Sequence, residues 1–577
     1  MRGADALVEM LILHGVKYIF GVPGDTSMAW HDALRLRSGE INYIICRDER
    51  NAAYAADAYA RLSGSLGVFD VPSGGGALYA VPGLSEADKS NIPLLCIASE
   101  ITISSEETNA LTDCNQEALF SAVTKWNAKV KKTSSIPLLV RKAIRESCVG
   151  VGGATALTLP DDILRGEYDG KPEDLYAAFK IDRINEMFRN GPVRADIDIL
   201  LEMIANAKQP MIIAGGGVHL SQAEHDLTAF AEKFAIPVAT SLDGKGSLCE
   251  YSPLAIGTIG SNGGSIQANN VAARADLLIV LGCKMDNVTT MGGKILGKNV
   301  RTVQVDLWEG VLGNTIHADL PIMADIRMLL RGAAEADDGS RDYAAIHGEW
   351  LAYVKAMAEQ KYTKIAEDNQ READRIVASR VFAAFDKYTD ENAVHVGDAG
   401  TPTPYISANM RAKKAGRTTV IPRSHGALGY AIGASIGAQV ARPASQIVCY
   451  CGDASFAMAL GELETIKRLG LPIVLVNFQN DCFGWIKTIQ RIYYHEQYFG
   501  VDFSAVDAVK IAEGFGIASR RVAHNAEIEE AVQWALAQHK PVLLNFLAEP
   551  VSDYVPPVAQ WEIDVNKPAE ERHKTVY

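Results

Sequence analysis

Three parallel α/β units strung along one chain are the architecture this sequence predicts, on three observations. Short apolar runs alternate with segments of helical period, separated by turns containing Gly or Pro. Polar joins interrupt that alternation after residue 164 and after residue 330. In "CYCGDASF" a carboxylate directly follows an apolar run, where an open parallel sheet gathers ligand-binding groups. At about 150 residues per domain, 577 residues suit three doubly wound domains.

The first block, residues 1–168, opens with "MRGADALVEMLILHGVKYIF". Glu9, His14 and Gly15 interrupt it, so it reads as an amphipathic helix leading into a strand and not as a signal peptide. "YIFGVPGDTSMAWHDAL" reads as strand, turn and helix, and "VFDVPSGGGALYAVPGLSEA" repeats that order. Between them, "CRDERNAAYAADAYARLSG" is an Ala-rich helix whose first turn carries Asp48 and Glu49, where acids complement the helix dipole. The block closes at "LTLPDDIL", followed by the charged "RGEYDGKPED". The second block, 190–335, contains "QPMIIAGGGV" and ends within the polar "RGAAEADDGSRD". The third, 370–550, begins in "AEDNQREADR", and 551–577 forms a polar tail that is either frayed or an ordered lid.

In the third block, Ile447 to Cys451 reads as a buried strand with Asp453 just past its carboxyl end. Ser455 opens a helix carrying Phe456, Leu460, Leu463 and Ile466 on one face, "GLP" stops it, and Ile473 to Phe478 is the next strand. A right-handed crossover puts both strand ends on one edge, so Asp453 and Asn480 converge. N–H groups at Ala454 and Ser455 suit a phosphate. A carboxylate, an amide carbonyl and a backbone carbonyl are donors that Mg²⁺ accepts at about 2.1 Å. A helix-capping Asp and a loop Asn without a metal account for the same residues.

Composition narrows the class. Hydrophobic content of 48%, charged content of 22% and mean hydropathy of +0.01 describe an ordinary globular protein. A net charge of −14 without a long basic run argues against nucleic acid and anionic membranes as partners. No apolar run reaches the roughly 18 residues of a membrane span. The nine cysteines contain no CxxC pair and read as reduced core thiols. A cytoplasmic enzyme or binding protein is the expectation.

Seven segments, in order, resemble the thiamine diphosphate (ThDP) enzymes of the acetolactate synthase, pyruvate oxidase, oxalyl-CoA decarboxylase and 2-hydroxyacyl-CoA lyase superfamily. They are "FGVPGD", "DERNAAYAADAYAR", "PSGGGA", "QEALFSAVTKW", "IPVATSLDGKG", "GALGYAIGASIGA" and the stretch around Asp453. The resemblance implies a pyrimidine-binding domain, a middle domain and a diphosphate-binding domain, together the ThDP-binding fold. It also implies Mg²⁺ on Asp453, Asn480 and the Cys482 carbonyl, with Gly400, Thr401, Gly452, Ala454, Ser455, Phe483 and Gly484 around the coenzyme. Glu49 matches the glutamate that activates the pyrimidine ring, and Leu428 matches the apolar residue that bends the coenzyme. A homodimer is the implied minimum and a homotetramer the fuller expectation, because relatives build each site from two chains.

The sequence departs from the family at Ala454, where Gly is usual, and at Gln479, where the usual pair is Asn-Asn. "LTD" at 111–113 replaces Phe-Gln-Glu, and "GCKMDNVTT" replaces an Arg-containing flavin segment of acetolactate synthases. "AGGGV" with Lys284, Lys294, Lys298 and Arg301 fits the phosphates of ADP, a flavin or the nucleotide part of CoA, with FAD disfavoured by these departures, and a solvated basic face is the plainer reading of the same residues. His425, His31, His495 and Glu496 are candidate proton-transfer groups, Glu496 for a substrate hydroxyl. The expected reaction is C–C cleavage or ligation of a small molecule. A 2-hydroxyacyl-CoA thioester lyase is placed ahead of an acetolactate synthase-like carboligase, and a non-catalytic ThDP-fold binding protein is the alternative of another class.

Overall fold

The computed structural model describes residues 1–182, 189–572 and 574. Eighteen strands among them form three six-stranded sheets in which every strand pairing is parallel. The first sheet holds β1 (Tyr18–Gly21), β2 (Asn42–Ile45), β3 (Gly67–Val71), β4 (Leu94–Glu100), β5 (Trp126–Lys129) and β6 (Ala154–Pro160), in the order β2-β1-β3-β4-β6-β5. The middle sheet holds β7 (Pro210–Ala214), β8 (Val238–Thr240), β9 (Ala255–Thr258), β10 (Leu277–Leu281), β11 (Arg301–Asp306) and β12 (Leu320–Met323). Its order, β9-β8-β7-β10-β11-β12, is that of a dinucleotide-binding sheet. The third sheet holds β13 (Val394–Gly397), β14 (Thr419–Val420), β15 (Ile447–Gly452), β16 (Ile473–Gln479), β17 (Ala518–Val522) and β18 (Val542–Leu547). Its order, β14-β13-β15-β16-β18-β17, repeats that of the first sheet. The α/β expectation of three doubly wound sheets is met.

Helices cover both faces of the central strands, which is why β3, β4, β6 and β16 are buried along their whole lengths and read as continuous apolar runs. First and third domains join through the Ala-rich helix Glu49–Ser63 and the helix Tyr430–Ala441. Small residues permit that approach: a Cβ at Gly437 would collide with the Ala55 carbonyl. Asp48 caps the first of these helices by accepting the Arg50 N–H at 2.8 Å.

One expected element differs. The single helix read from Ser455 through Ile466 is two, Asp453–Met458 and Glu462–Leu469. Leu460 preserves the apolar period across the break, and Gly461 packs against Arg47 of the first domain. Tertiary contact, absent from the local pattern, sets the interruption. Of the tail, residues 573 and 575–577 lie outside the described residues. The rest is ordered: Ala559–Asp564 is helical, Trp561 lies 4.4 Å from Trp485 between ring centres, and Tyr493 Oη donates to Asp564 at 2.8 Å. No helix among the described residues is long and apolar enough to cross a membrane. Seven of the nine free cysteines are buried.

Candidate active site

The third sheet reverses strand order between β13 and β15, so a crevice opens beyond the carboxyl ends of those strands. Asp453 stands there, one residue past β15, and β16 runs beside it with Gly452 opposite Phe478. Asp453 Oδ1 accepts the Ala454 N–H at 2.9 Å, and Oδ2 accepts those of Asn480 at 2.9 Å and Asp481 at 2.6 Å. One carboxyl thus ties the two strand ends together. Burial pushes it up to about 6, against the pull of the three N–H groups. Asn480 Oδ1 takes a weak bond from the Cys482 thiol at 3.4 Å. Among the described residues no cluster of three or more His, Cys, Asp or Glu side chains forms a metal site, so any cation here combines the Asp453 carboxylate with amide and backbone oxygens.

These groups line a cavity of about 890 Å³. The third domain contributes Gly400 and Thr401 after β13, His425 and Leu428 before helix Tyr430–Ala441, Gly452 through Ser455, and Asn480, Cys482, Phe483 and Gly484 after β16. Two carboxyls hold the loop carrying Leu428. Asp398 accepts the N–H groups of Gly429 at 3.1 Å and Ala431 at 3.0 Å, and burial raises it to about 7. Gly429, at φ 81°, makes the turn that Asp398 grips. Glu86 of the first domain, fully buried, accepts from the N–H groups of Ser424 at 3.1 Å and His425 at 2.8 Å. The His425 ring meets Ser85 Oγ at 2.7 Å.

Glu49 and Glu496 do not line this cavity. Glu49 begins its helix half-buried against Gly76 of the first domain, and burial raises its carboxyl. Glu496 sits in an exposed turn at φ 60°, past the helix Gly484–Tyr493. His495 shares that turn, and His31 lies outside the cavity, 3.3 Å from the buried Asp70. The four basic residues of the middle block do not gather. Lys284 lines the cavity and reaches across to Lys89 O at 2.5 Å, whereas Lys294, Lys298 and Arg301 are exposed.

Local pattern missed several groups. Arg61 and Arg417 face the same cavity near Gly216 and Gly217 of "AGGGV". Burial and the neighbouring Arg61 guanidinium pull Arg417 down to about 10. Asp398 had left a signal, because "GDA" follows an apolar run at 397–399 as it does at 452–454.

Comparison with known proteins agrees with the three-sheet fold. Models of the thiamine pyrophosphate enzymes match three times: the N-terminal TPP binding domain at residues 1–119, the central domain at 197–332 and the C-terminal TPP binding domain at 398–546. The probable acetolactate synthase large subunit of Methanococcus aeolicus is 29% identical over 97% of this chain and 94% of its own length. The acetolactate synthase large subunit of Cyanidium caldarium is 28% identical, covering 96% of this chain and 95% of its own. That of Lactococcus lactis is 26% identical, with 94% and 92% covered. This chain belongs to the thiamine diphosphate-dependent enzymes, in the superfamily that includes acetolactate synthase.

Proposed function

We propose that the protein is a ThDP- and Mg²⁺-dependent carboligase of the acetolactate synthase type, acting on 2-oxo acids. What carries this reading is the crevice between β13 and β15, with Asp453 and Asn480 converging on it, in a chain similar from end to end to acetolactate synthases. That similarity favours the carboligase over the 2-hydroxyacyl-CoA lyase expected first, and Glu496, exposed and outside the cavity, lends the lyase no proton-transfer group. When bound, ThDP supplies the carbon nucleophile and electron sink that let a 2-oxo acid lose CO₂ and pass on its acyl group.

The chain's own residues prepare that chemistry. Asp453, the Asn480 amide and the Cys482 carbonyl hold the cation, whose hard-oxygen preference they match. Ala454, whose own N–H is given to Asp453, and the Ser455 N–H would border the diphosphate, with Gly400, Thr401, Gly452, Phe483 and Gly484 shaping the walls. Leu428, 39% exposed and lining the cavity, would support the coenzyme. Glu49 holds a proton for the pyrimidine ring, a task that its raised pKa suits. Because Glu49 stands outside its own chain's cavity, a second chain supplies it, making a homodimer the working unit and a homotetramer its natural extension. The Gly216–Gly217 loop at the middle sheet's order reversal, with Lys284, takes a nucleotide, ADP or the nucleotide part of CoA ahead of FAD. Reduced cysteines and net charge −14 suit the cytoplasm.

The test is direct. With ThDP and Mg²⁺, pyruvate should yield CO₂ and acetolactate, and a 2-hydroxyacyl-CoA should remain intact. Release of an aldehyde and formyl-CoA from the thioester, with pyruvate inert, would restore the lyase.

A further inference from the structure

Glu462 begins the helix Glu462–Leu469 in the third domain and is fully buried, yet its carboxylate serves the first domain. Glu462 Oε1 accepts the backbone N–H of Arg47 at 2.8 Å, two residues ahead of Glu49. Its other oxygen, Oε2, accepts from Thr465 Oγ1 at 2.7 Å. The same helix holds the preceding strand end: Thr465 Oγ1 reaches Ile45 O at 3.5 Å and Arg468 Nη2 reaches it at 2.5 Å. The entry to the helix that carries Glu49, from Ile45 to Arg47, is therefore pinned by side chains about 415 positions away in sequence.

We propose that Glu462 is a positioning residue for Glu49, fixing the backbone from which the ring-activating carboxyl projects. The inference rests on the role given to Glu49 above. The geometry supplies its reason. Glu49 is the first residue of its helix, where the intrahelical ladder does not yet hold the backbone, and Asp48 caps only the Arg50 N–H. Without Glu462, the Arg47 N–H would lose the part-buried carboxylate acceptor that ties it to the third domain. Burial raises the Glu462 carboxyl to about 7, and Cys46, Arg47, Asp48 and Arg468 are the titratable neighbours around it. Either protonation state keeps an oxygen for Arg47, so the hold does not require charge.

Three variants separate the possibilities. Glu462→Leu keeps the volume and deletes the acceptor, Glu462→Gln keeps an acceptor without charge, and Thr465→Val loosens the grip on Oε2. In the cofactor-free protein, deuterium uptake at the amides of residues 46–50 should rise about tenfold in Glu462→Leu and stay near wild type in Glu462→Gln. With ThDP and Mg²⁺ bound, C2–H exchange of the coenzyme, followed by NMR, should slow about 100-fold in Glu462→Leu, the scale of a 1 Å misplacement, and recover in Glu462→Gln. Wild-type uptake in a folded Glu462→Leu protein, or equal losses in both Glu462 variants, would overturn the proposal. If Glu462→Leu does not fold, Thr465→Val decides it: faster uptake at 46–50 upholds the hold on Arg47 and unchanged uptake rejects it. Retained C2–H exchange in Glu49→Gln would instead sink the role of Glu49, and the cofactor-free uptake keeps the two failures distinguishable.

Discussion

In the proposed site, Asp453 should make cation binding depend on pH in a way that an exposed carboxylate would not. Its folded pKa of about 6 stands above the unfolded value of 3.8 because burial disfavours the charge more than three N–H donors favour it. Such a group contributes stability that is fully present below pH 3.8 and is lost as pH rises through 6. A shift of about two pKa steps amounts to about 3 kcal/mol, which the cofactor-free protein carries as a cost at neutral pH. A cation takes only the ionised form, so binding relieves that cost and must expel a proton wherever Asp453 is protonated. At pH 7 about nine-tenths of the carboxyl is ionised and at pH 5 about one-tenth, which weakens Mg²⁺ affinity about tenfold, or about 1.4 kcal/mol. A carboxyl at 3.8 would lose almost nothing over the same interval. Titration calorimetry of Mg²⁺ with ThDP at both pH values, repeated in buffers of different ionisation enthalpy, reads affinity and proton release together. Equal affinity at pH 5 and 7, or no proton released at pH 5, would refute the reasoning. Asp453→Asn should bind no cation at either pH.

Three further perturbations separate chemistry from scaffolding. Glu49→Gln should retain ThDP by fluorescence titration and lose C2–H exchange by about 10²- to 10⁴-fold, the range of a general acid–base group. Asp398→Asn keeps one acceptor for two N–H groups, so ThDP affinity should fall about fivefold to tenfold as the Leu428 loop loosens, the effect of one lost hydrogen bond of about 1 kcal/mol. The fall should be larger above pH 7 than below it, since only the ionised carboxylate offers both oxygens as full acceptors, and the protonated acid already resembles Asn. Trp561→Ala removes a side chain that is 1% exposed and packed on Trp485, at a local cost of about 3–5 kcal/mol, and limited proteolysis should then cut within 484–493.

What the sequence disclosed and what it hid divide along a physical line. The ends of β15 and β16 were legible because strands buried on both faces are short apolar runs closed by Gly or a polar residue, and Asp453 and Asn480 fall where those runs stop. Glu86, Arg61 and Glu462 were not: each lies inside an ordinary helical pattern, Glu86 and Glu462 meet partners from a different domain, and Arg61 pairs with Asp57 and Glu86 inside the first. Nearness in sequence also misled. Glu496 follows the cation loop closely, but the ten-residue helix Gly484–Tyr493 carries the chain about 15 Å onward and delivers it to solvent. Lys294, Lys298 and Arg301 cluster in the sequence and disperse along a loop and the start of β11.

The shared strand order of the first and third sheets gives Glu49 its meaning. Each sheet reverses at the same place, between β1 and β3 or between β13 and β15, so each offers one crevice at its carboxyl edge. In the third domain that crevice holds Asp453, and in the first Gly24 lies in the loop after β1 and Gly76, in the short helix Gly75–Tyr79 after β3, faces Glu49. A coenzyme with one anionic end and one basic ring needs both crevices at once, facing each other. Within one chain the two domains meet through the helices Glu49–Ser63 and Tyr430–Ala441, which turns Glu49 away from the cavity that holds Asp453. Within one chain the contact is back to back, so the proposed function requires a second chain to bring the two crevices face to face. Diluting the protein below its dimer dissociation constant should therefore abolish C2–H exchange while the fold of each chain persists.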